Sequence, residues 1–235
     1  MPEDKNSKGI LVAIEGISGA GKTEFSIALE QGGRALGHDV LLLGGFVVRP
    51  YSSPLTAFIR NLVTTNRFID FPWLAETHLI IAEMLYDIHA LVRPAIASGK
   101  VVIYDSYIDS LIAFQTARLL LQDLVNTNLP PDYASRLMKT LLDSGHVPTA
   151  DCTIYLKCAF SKAKARLEVR DRMPVSPTDF DLLEEIARQY DLLYSGKQTL
   201  ILDSTEDKTS PELVRQALEY IQSTIKRLSE ASLAT

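Results

Sequence analysis

One run of eight residues carries the clearest chemistry in this chain: Gly16-Ile17-Ser18-Gly19-Ala20-Gly21-Lys22-Thr23, which spells G-x-x-x-x-G-K-T. It follows the apolar stretch Gly9–Glu15 (GILVAIE) and precedes an amphipathic helical pattern, so it lies between a buried strand and a helix. Glycines there let backbone N–H groups turn inward around an anion, and the helix N-terminus adds partial positive charge. Lys22 reaches the β- and γ-phosphates of a nucleoside triphosphate, and Thr23 offers its hydroxyl to Mg²⁺. A glycine-rich turn with a chance lysine is the bland reading, and the strand-turn-helix setting opposes it. The run specifies ATP-type binding and leaves the reaction open. Asp105 closes a later apolar stretch, Val101–Tyr104 (VVIY). Ligands of open α/β sheets bind outside the carboxyl ends of the strands, so an Asp there suits the second metal-holding oxygen. Its structural alternative is a turn or helix-capping Asp.

The remaining reactive residue types form no second constellation. Cys152 and Cys158 flank one apolar run, on one face of a strand, and read as two buried thiols in a reducing compartment. His38, His78, His89 and His146 are scattered, and no metal role is assigned to them. The formal net charge of −5 argues against nucleic acid as a partner. The polar N-terminus lacks the apolar core of a signal peptide, and no apolar run approaches a membrane span. The expectation is a cytoplasmic protein with no membrane partner.

The elements that must position these residues alternate along the chain. Short apolar runs at Gly9–Glu15, Asp39–Leu43, Val101–Tyr104, Asp151–Lys157 and Thr199–Leu202 predict five strands. Helical patterns cover Thr23–Leu36, Leu55–Thr64, Pro72–Ser98, Ser110–Asp123, a segment ending at Asp143, Ser161–Arg170, Asp179–Tyr194 and Pro211–Leu228. Pro94 is expected to kink the long helix. With 46% hydrophobic residues in a chain of 235, the pattern gives one α/β domain with a parallel sheet covered on both faces. The domain spans residues 9–228, with tails at 1–8 and 229–235.

With those residues placed, the chain resembles the thymidylate kinases of the nucleoside monophosphate kinase group. The matching segments are Glu15–Thr23 (EGISGAGKT), Arg49-Pro50, Arg93-Pro94-Ala95-Ile96 with the SGKVVIYD that follows, and Asp105–Gln115 (DSYIDSLIAFQ). The resemblance implies a P-loop NTPase fold with strand order 2-3-1-4-5 and an arginine-bearing lid at about 166–178. It implies ATP and Mg²⁺ as cofactors, a small-molecule acceptor, and a homodimer surface on the long helix 72–98. Arg166, Arg170 and Arg172 fall at the lid, where planar guanidinium forks neutralise charge on the transferred group. Their structural alternative is a solvated basic face.

The acceptor side is implied at Glu15, Arg49, Ile80, Met84, Ser106, Tyr107, Phe114 and Gln115, and here the chain departs from the family. Ser106 replaces the arginine that contacts the acceptor phosphate. Met84 replaces an arginine that helps bind thymine, and Ile80 replaces the ring that stacks on the base. Ser18 stands in the loop where many members carry a carboxylate. Glu83 and Asp87 add acidic groups near the same surface. Each lost charge-assisted bond removes about 1.5–3 kcal/mol of affinity for a phosphorylated acceptor. Three readings follow: a kinase with a changed acceptor, an ordinary thymidylate kinase, or an ATP-binding regulatory protein without turnover.

Overall fold

The computed structural model describes residues 9–44, 56, 72–123, 128–197, 199–207 and 209–233. The elements in order are β1 (Ile10–Glu15), α1 (Lys22–Ala35), β2 (Val40–Gly44), α2 (Trp73–Asp87), α3 (Arg93–Ala97), β3 (Val101–Asp105), α4 (Ile108–Arg118), α5 (Tyr133–Asp143), β4 (Cys152–Lys157), α6 (Phe160–Asp171), α7 (Pro177–Tyr194), β5 (Leu200–Asp203) and α8 (Pro211–Leu233). The five strands form one sheet in the order β2-β3-β1-β4-β5. Every pairing is parallel, as the helical crossovers require. The alternating pattern predicted the parallel sheet, and the P-loop arrangement with this strand order is the one the family resemblance implies.

The period-2 alternation of the strands divides the core. Ile10, Val12 and Ile14 of β1 face one apolar cluster together with Ile103 of β3, Ile154 of β4 and residues of α1, α7 and α8. Leu11 and Ala13 face the other, together with Val102 and Tyr104 of β3 and residues of α2 and α4. All six residues of β1 are buried, as a central parallel strand must be. Cys152 and Cys158 are free, buried and in the first cluster.

Helix ends follow local chemistry. Ser176 caps α7 by accepting from the Asp179 N–H at 3.1 Å, and Pro177 occupies its first turn. The helical run continues past Pro94 to Ala97. A π-turn at Ile88–Val92 intervenes, so Pro94 falls in the first turn of α3, where its missing N–H has no partner to lose. A second π-turn, Leu119–Asp123, replaces the expected end of the α4 helix. The last helix continues to Leu233, five residues beyond its expected stop, so most of the presumed tail 229–235 is helical. The helix expected at Leu55–Thr64 and Arg49 lie outside the described residues, Thr56 excepted. Among the described residues no helix is long and apolar enough to cross a membrane.

Candidate active site

The glycine-rich loop is built against backbone on two sides. A Cβ at Gly16 would lie 2.6 Å from the Leu156 carbonyl oxygen of β4, and one at Gly19 would lie 2.5 Å from that of Ala163 in α6. Gly19 and Gly21 also take φ of +85° and +93°, the region that favours glycine. Ile17 and Ala20 are buried and anchor the loop to the core, leaving Ser18 half-buried between them. The result is a cradle lined by main chain at the N-terminus of α1. A side chain at Gly16 or Gly19 would meet that backbone.

Lys22 and Thr23 open α1 from the cradle floor. Lys22 Nζ donates to the carbonyls of Gly16 at 2.7 Å and Ile17 at 3.0 Å. Burial lowers its pKa, Asp105 and Glu15 oppose that, and the Arg170 charge adds to the lowering. Thr23 Oγ1 donates to Asp105 Oδ2 at 2.9 Å. Pairing of Ile14 with Asp105 sets this carboxylate beside the root of the loop. A hydroxyl and a carboxylate converging beside an anion cradle are the hard-oxygen pair that Mg²⁺ uses with phosphate. Thr23 and Asp105 therefore fit the metal role expected of them.

The three arginines separate in space. Arg166 is a brace: its guanidinium donates to the carbonyls of Ser204 at 2.8 Å, Thr205 at 2.9 Å and Gly19 at 3.4 Å. It ties the loop to the segment after β5. Arg170 pairs with the adjacent Asp171 at 2.6 Å and is exposed, and its charge reaches Lys22. Arg172 is exposed in a left-handed turn, φ 54°, that ends α6. Residues 166–171 are thus helical, and the turn within the expected lid is 172–176. Glu168 closes it by accepting from the Val175 N–H at 3.1 Å.

The acceptor-side candidates are distributed differently from the expectation. Ser106 adopts φ 69°, held by its N–H to the Ile14 carbonyl at 2.9 Å, and its hydroxyl donates to Asp105 Oδ1 at 3.1 Å. Tyr107 is a core residue whose phenol donates to the Pro148 carbonyl at 2.8 Å. Both Glu15 oxygens are engaged, by the Tyr107 N–H and the Ser110 hydroxyl. Met84 is buried and Ile80 packs beside it in the apolar cluster under α2. Phe114 packs half-buried against the other cluster.

Gln115 is neither a surface residue nor a free reader of a base edge. It is 1% exposed; its amide nitrogen donates to Glu76 at 3.0 Å and its amide oxygen accepts from Thr77 at 2.9 Å. Glu76 also pairs with Arg118, and the Trp73 indole donates to the Gln115 carbonyl at 2.8 Å. This buried knot joins α2 to α4. The sequence signal for it is a set of polar residues at helical spacing, Glu76 with Thr77 on α2 and Gln115 with Arg118 on α4.

Two further acids sit on α2. Glu83 and Asp87 are 2% and 4% exposed and one helical turn apart. Tyr104 donates to Asp87 Oδ2 at 3.3 Å, and Thr56 hydrogen-bonds Glu83. Glu83 Oε1 and Asp87 Oδ1 have no partner among the described residues. Burial, with Asp87 nearby, pushes the Glu83 carboxyl up to about 7 from an ordinary 4.5. Between those values the folded chain keeps a proton that the unfolded chain loses, so stability falls as pH rises through the window. The loss is about 3 kcal/mol for Glu83. Thermal melting should therefore drop by about 5–10 °C between pH 5 and pH 8, and Glu83→Gln should shrink that drop. An unchanged slope in the variant would assign the effect to another group.

A sequence model of the thymidylate kinase family matches residues 14–217. A probable thymidylate kinase from Pyrococcus abyssi is 30% identical over 191 residues, covering 80% of this chain and 82% of its own length. The thymidylate kinase of Mesoplasma florum is 28% identical over 182 residues, covering 77% of this chain and 76% of its own. The family match takes in the cradle, Asp105 and the arginine turn together, and it spans most of the sheet. The chain belongs to the thymidylate kinase family and is a phosphotransferase.

Proposed function

We propose that this protein transfers the γ-phosphoryl group of ATP, with Mg²⁺, to a small acceptor less anionic than the family's usual one: a nucleotide, nucleoside or related metabolite. The observation that carries the changed acceptor is Ser106. Its hydroxyl is bonded to Asp105, at the position where the resemblance calls for a phosphate-binding arginine. On the donor side, the main-chain cradle and Lys22 hold the phosphates, and Thr23 with Asp105 hold Mg²⁺. The bound cation supplies charge neutralisation at the phosphate oxygens. Arg170, in the last turn of α6, and Arg172, in the turn that follows, offer guanidinium forks to the transferred group. Little covalent chemistry is asked of the protein, and positioning with charge neutralisation supplies the rate.

Phosphorylation of dTMP to dTDP is the second reading, favoured by the relatives named thymidylate kinase. The experiment that separates them is an ADP-release assay with Mg²⁺-ATP. Its acceptors are dTMP, other nucleoside monophosphates, free nucleosides and small phosphorylated metabolites. A less anionic acceptor turning over at least tenfold faster than dTMP is the expected result. dTMP as the clear best acceptor would establish the second reading. ATP binding without turnover of any acceptor would leave a regulatory nucleotide-binding protein.

We further propose a cytoplasmic homodimer that forms through the helix 72–98. Leu74 and Tyr86 of α2 are 43% and 47% exposed and support that surface. A net charge of −5 argues against a nucleic-acid partner, and among the described residues no helix is long and apolar enough to cross a membrane.

A further inference from the structure

Glu15 ends β1, directly before the phosphate cradle, and is 1% exposed. An ionised carboxylate behind an anion site would oppose phosphate. Its bonds explain what it does instead. Oε1 accepts the Tyr107 N–H at 3.2 Å, and Oε2 makes a short contact with the Ser110 hydroxyl. Ser110 Oγ lies 2.7 Å from the Tyr190 hydroxyl. The backbone of Gly16, first residue of the cradle, hydrogen-bonds the same phenol. The ring therefore closes from Glu15 through α4 and α7 to the residue that follows Glu15.

Each member belongs to a different part of the site. Gly16 begins the cradle. Tyr107 and Ser110 lie on the segment that leaves Asp105 and Ser106. Tyr190 lies on α7, the helix that leaves the arginine turn 172–176, and it stacks on Tyr155 of β4 at 5.3 Å. We propose that Glu15 is a positioning residue: as a neutral carboxylic acid it holds cradle, acceptor-side helix and lid helix in one hydrogen-bonded ring, so that ATP binding is felt at the other two. This rests on the cradle's reading as an ATP site and reassigns Glu15 from touching the acceptor to acting through α4.

Burial, with the Asp109 charge nearby, pushes the Glu15 carboxyl up to about 8 and favours its neutral form. The titratable and charged groups that interact with Glu15 are Lys22 of α1, Tyr107 just before α4, Asp109 of α4, and Tyr190 and Tyr194 of α7. Asp109 is occupied by the Tyr194 hydroxyl at 2.8 Å. Lys22 is bonded to the loop carbonyls of Gly16 and Ile17. A protonated carboxyl donates to Ser110 and still accepts from the Tyr107 N–H, so both contacts persist without charge.

Glutamine reproduces those two contacts and leucine neither. The test compares wild type, Glu15→Gln, Glu15→Leu and Tyr190→Phe. ATP binding is measured by calorimetry, and hydrogen exchange of residues 106–115 and 172–190 is followed with and without Mg²⁺-ATP. ATP should bind all four within about threefold. In wild type and Glu15→Gln it should slow exchange in both distant segments; in Glu15→Leu and Tyr190→Phe that protection should be lost. Turnover should follow, with kcat down about 10–100-fold in the two disrupted variants and KM for ATP nearly unchanged. Equal protection in all four proteins would overturn the proposal, and so would Glu15→Gln behaving like Glu15→Leu. Wild type that fails to bind ATP would instead refute the ATP-site reading, so the two failures are distinguishable.

Discussion

Lys22→Ala is expected to lower kcat/KM for ATP about 10²–10³-fold while leaving the fold as stable as before, or more so. The loss follows from geometry. Lys22 is the cation at the cradle floor, and its Nζ is held on the Gly16 and Ile17 carbonyls, ready to exchange two neutral acceptors for phosphate oxygens. A fixed charge that strengthens as the transferred group develops charge is what raises turnover. The stability half of the prediction follows from burial. Desolvation lowers the pKa of Lys22, so holding this ammonium in the folded chain is unfavourable, and alanine removes that penalty. Steady-state kinetics with a thermal melt checks both halves. Lost turnover with a lower melting temperature would mean that Lys22 supports the loop structurally. Retained turnover would mean that another cation meets the phosphates.

The donor half of this site was legible because its chemistry is local. G-x-x-x-x-G-K-T compresses the cradle, its lysine and its hydroxyl into eight adjacent residues, and the flanking periodicities show which side is strand and which is helix. Asp105 was legible for a related reason: a charge that ends an all-apolar strand must stand at the sheet's carboxyl edge. The strand order itself came with the family resemblance, since periodicity cannot rank parallel strands. The acceptor half depends on contacts across the fold. Gln115 looked like a surface or base-reading residue, yet Glu76 and Thr77, nearly 40 positions away in sequence, take up its amide. Arg166 looked like a lid arginine, but the carbonyls of Ser204 and Thr205 arrive with the loop after β5, which no local pattern announces. The π-turn that admits Pro94 was likewise invisible, because a one-residue widening leaves the apolar periodicity nearly intact.

Ser106→Arg is expected to raise kcat/KM for dTMP about 10–100-fold and to lower it for an uncharged acceptor. Ser106 needs no new backbone shape to carry an arginine. Its left-handed φ of 69° is imposed by the N–H bond to the Ile14 carbonyl, and that bond is independent of the side chain. A non-glycine residue already bears the conformational penalty there, so the exchange adds little strain. What changes is charge. The serine hydroxyl donates to Asp105 Oδ1, so beside that carboxylate there is now a small neutral donor. An arginine at the same root would extend a bidentate fork toward an acceptor phosphate, worth about 1.5–3 kcal/mol per charge-assisted bond, hence the tenfold to hundredfold range. It would also confront Asp105 with a competing cation, so part of the gain is offset if the guanidinium folds back onto that carboxylate. Measuring dTMP and a free nucleoside in parallel resolves this. A gain with dTMP and a loss with the nucleoside marks Ser106 as the point where the acceptor's charge is read. No change with either would show that another cation already serves the acceptor phosphate, and the protein would then be an ordinary dTMP kinase.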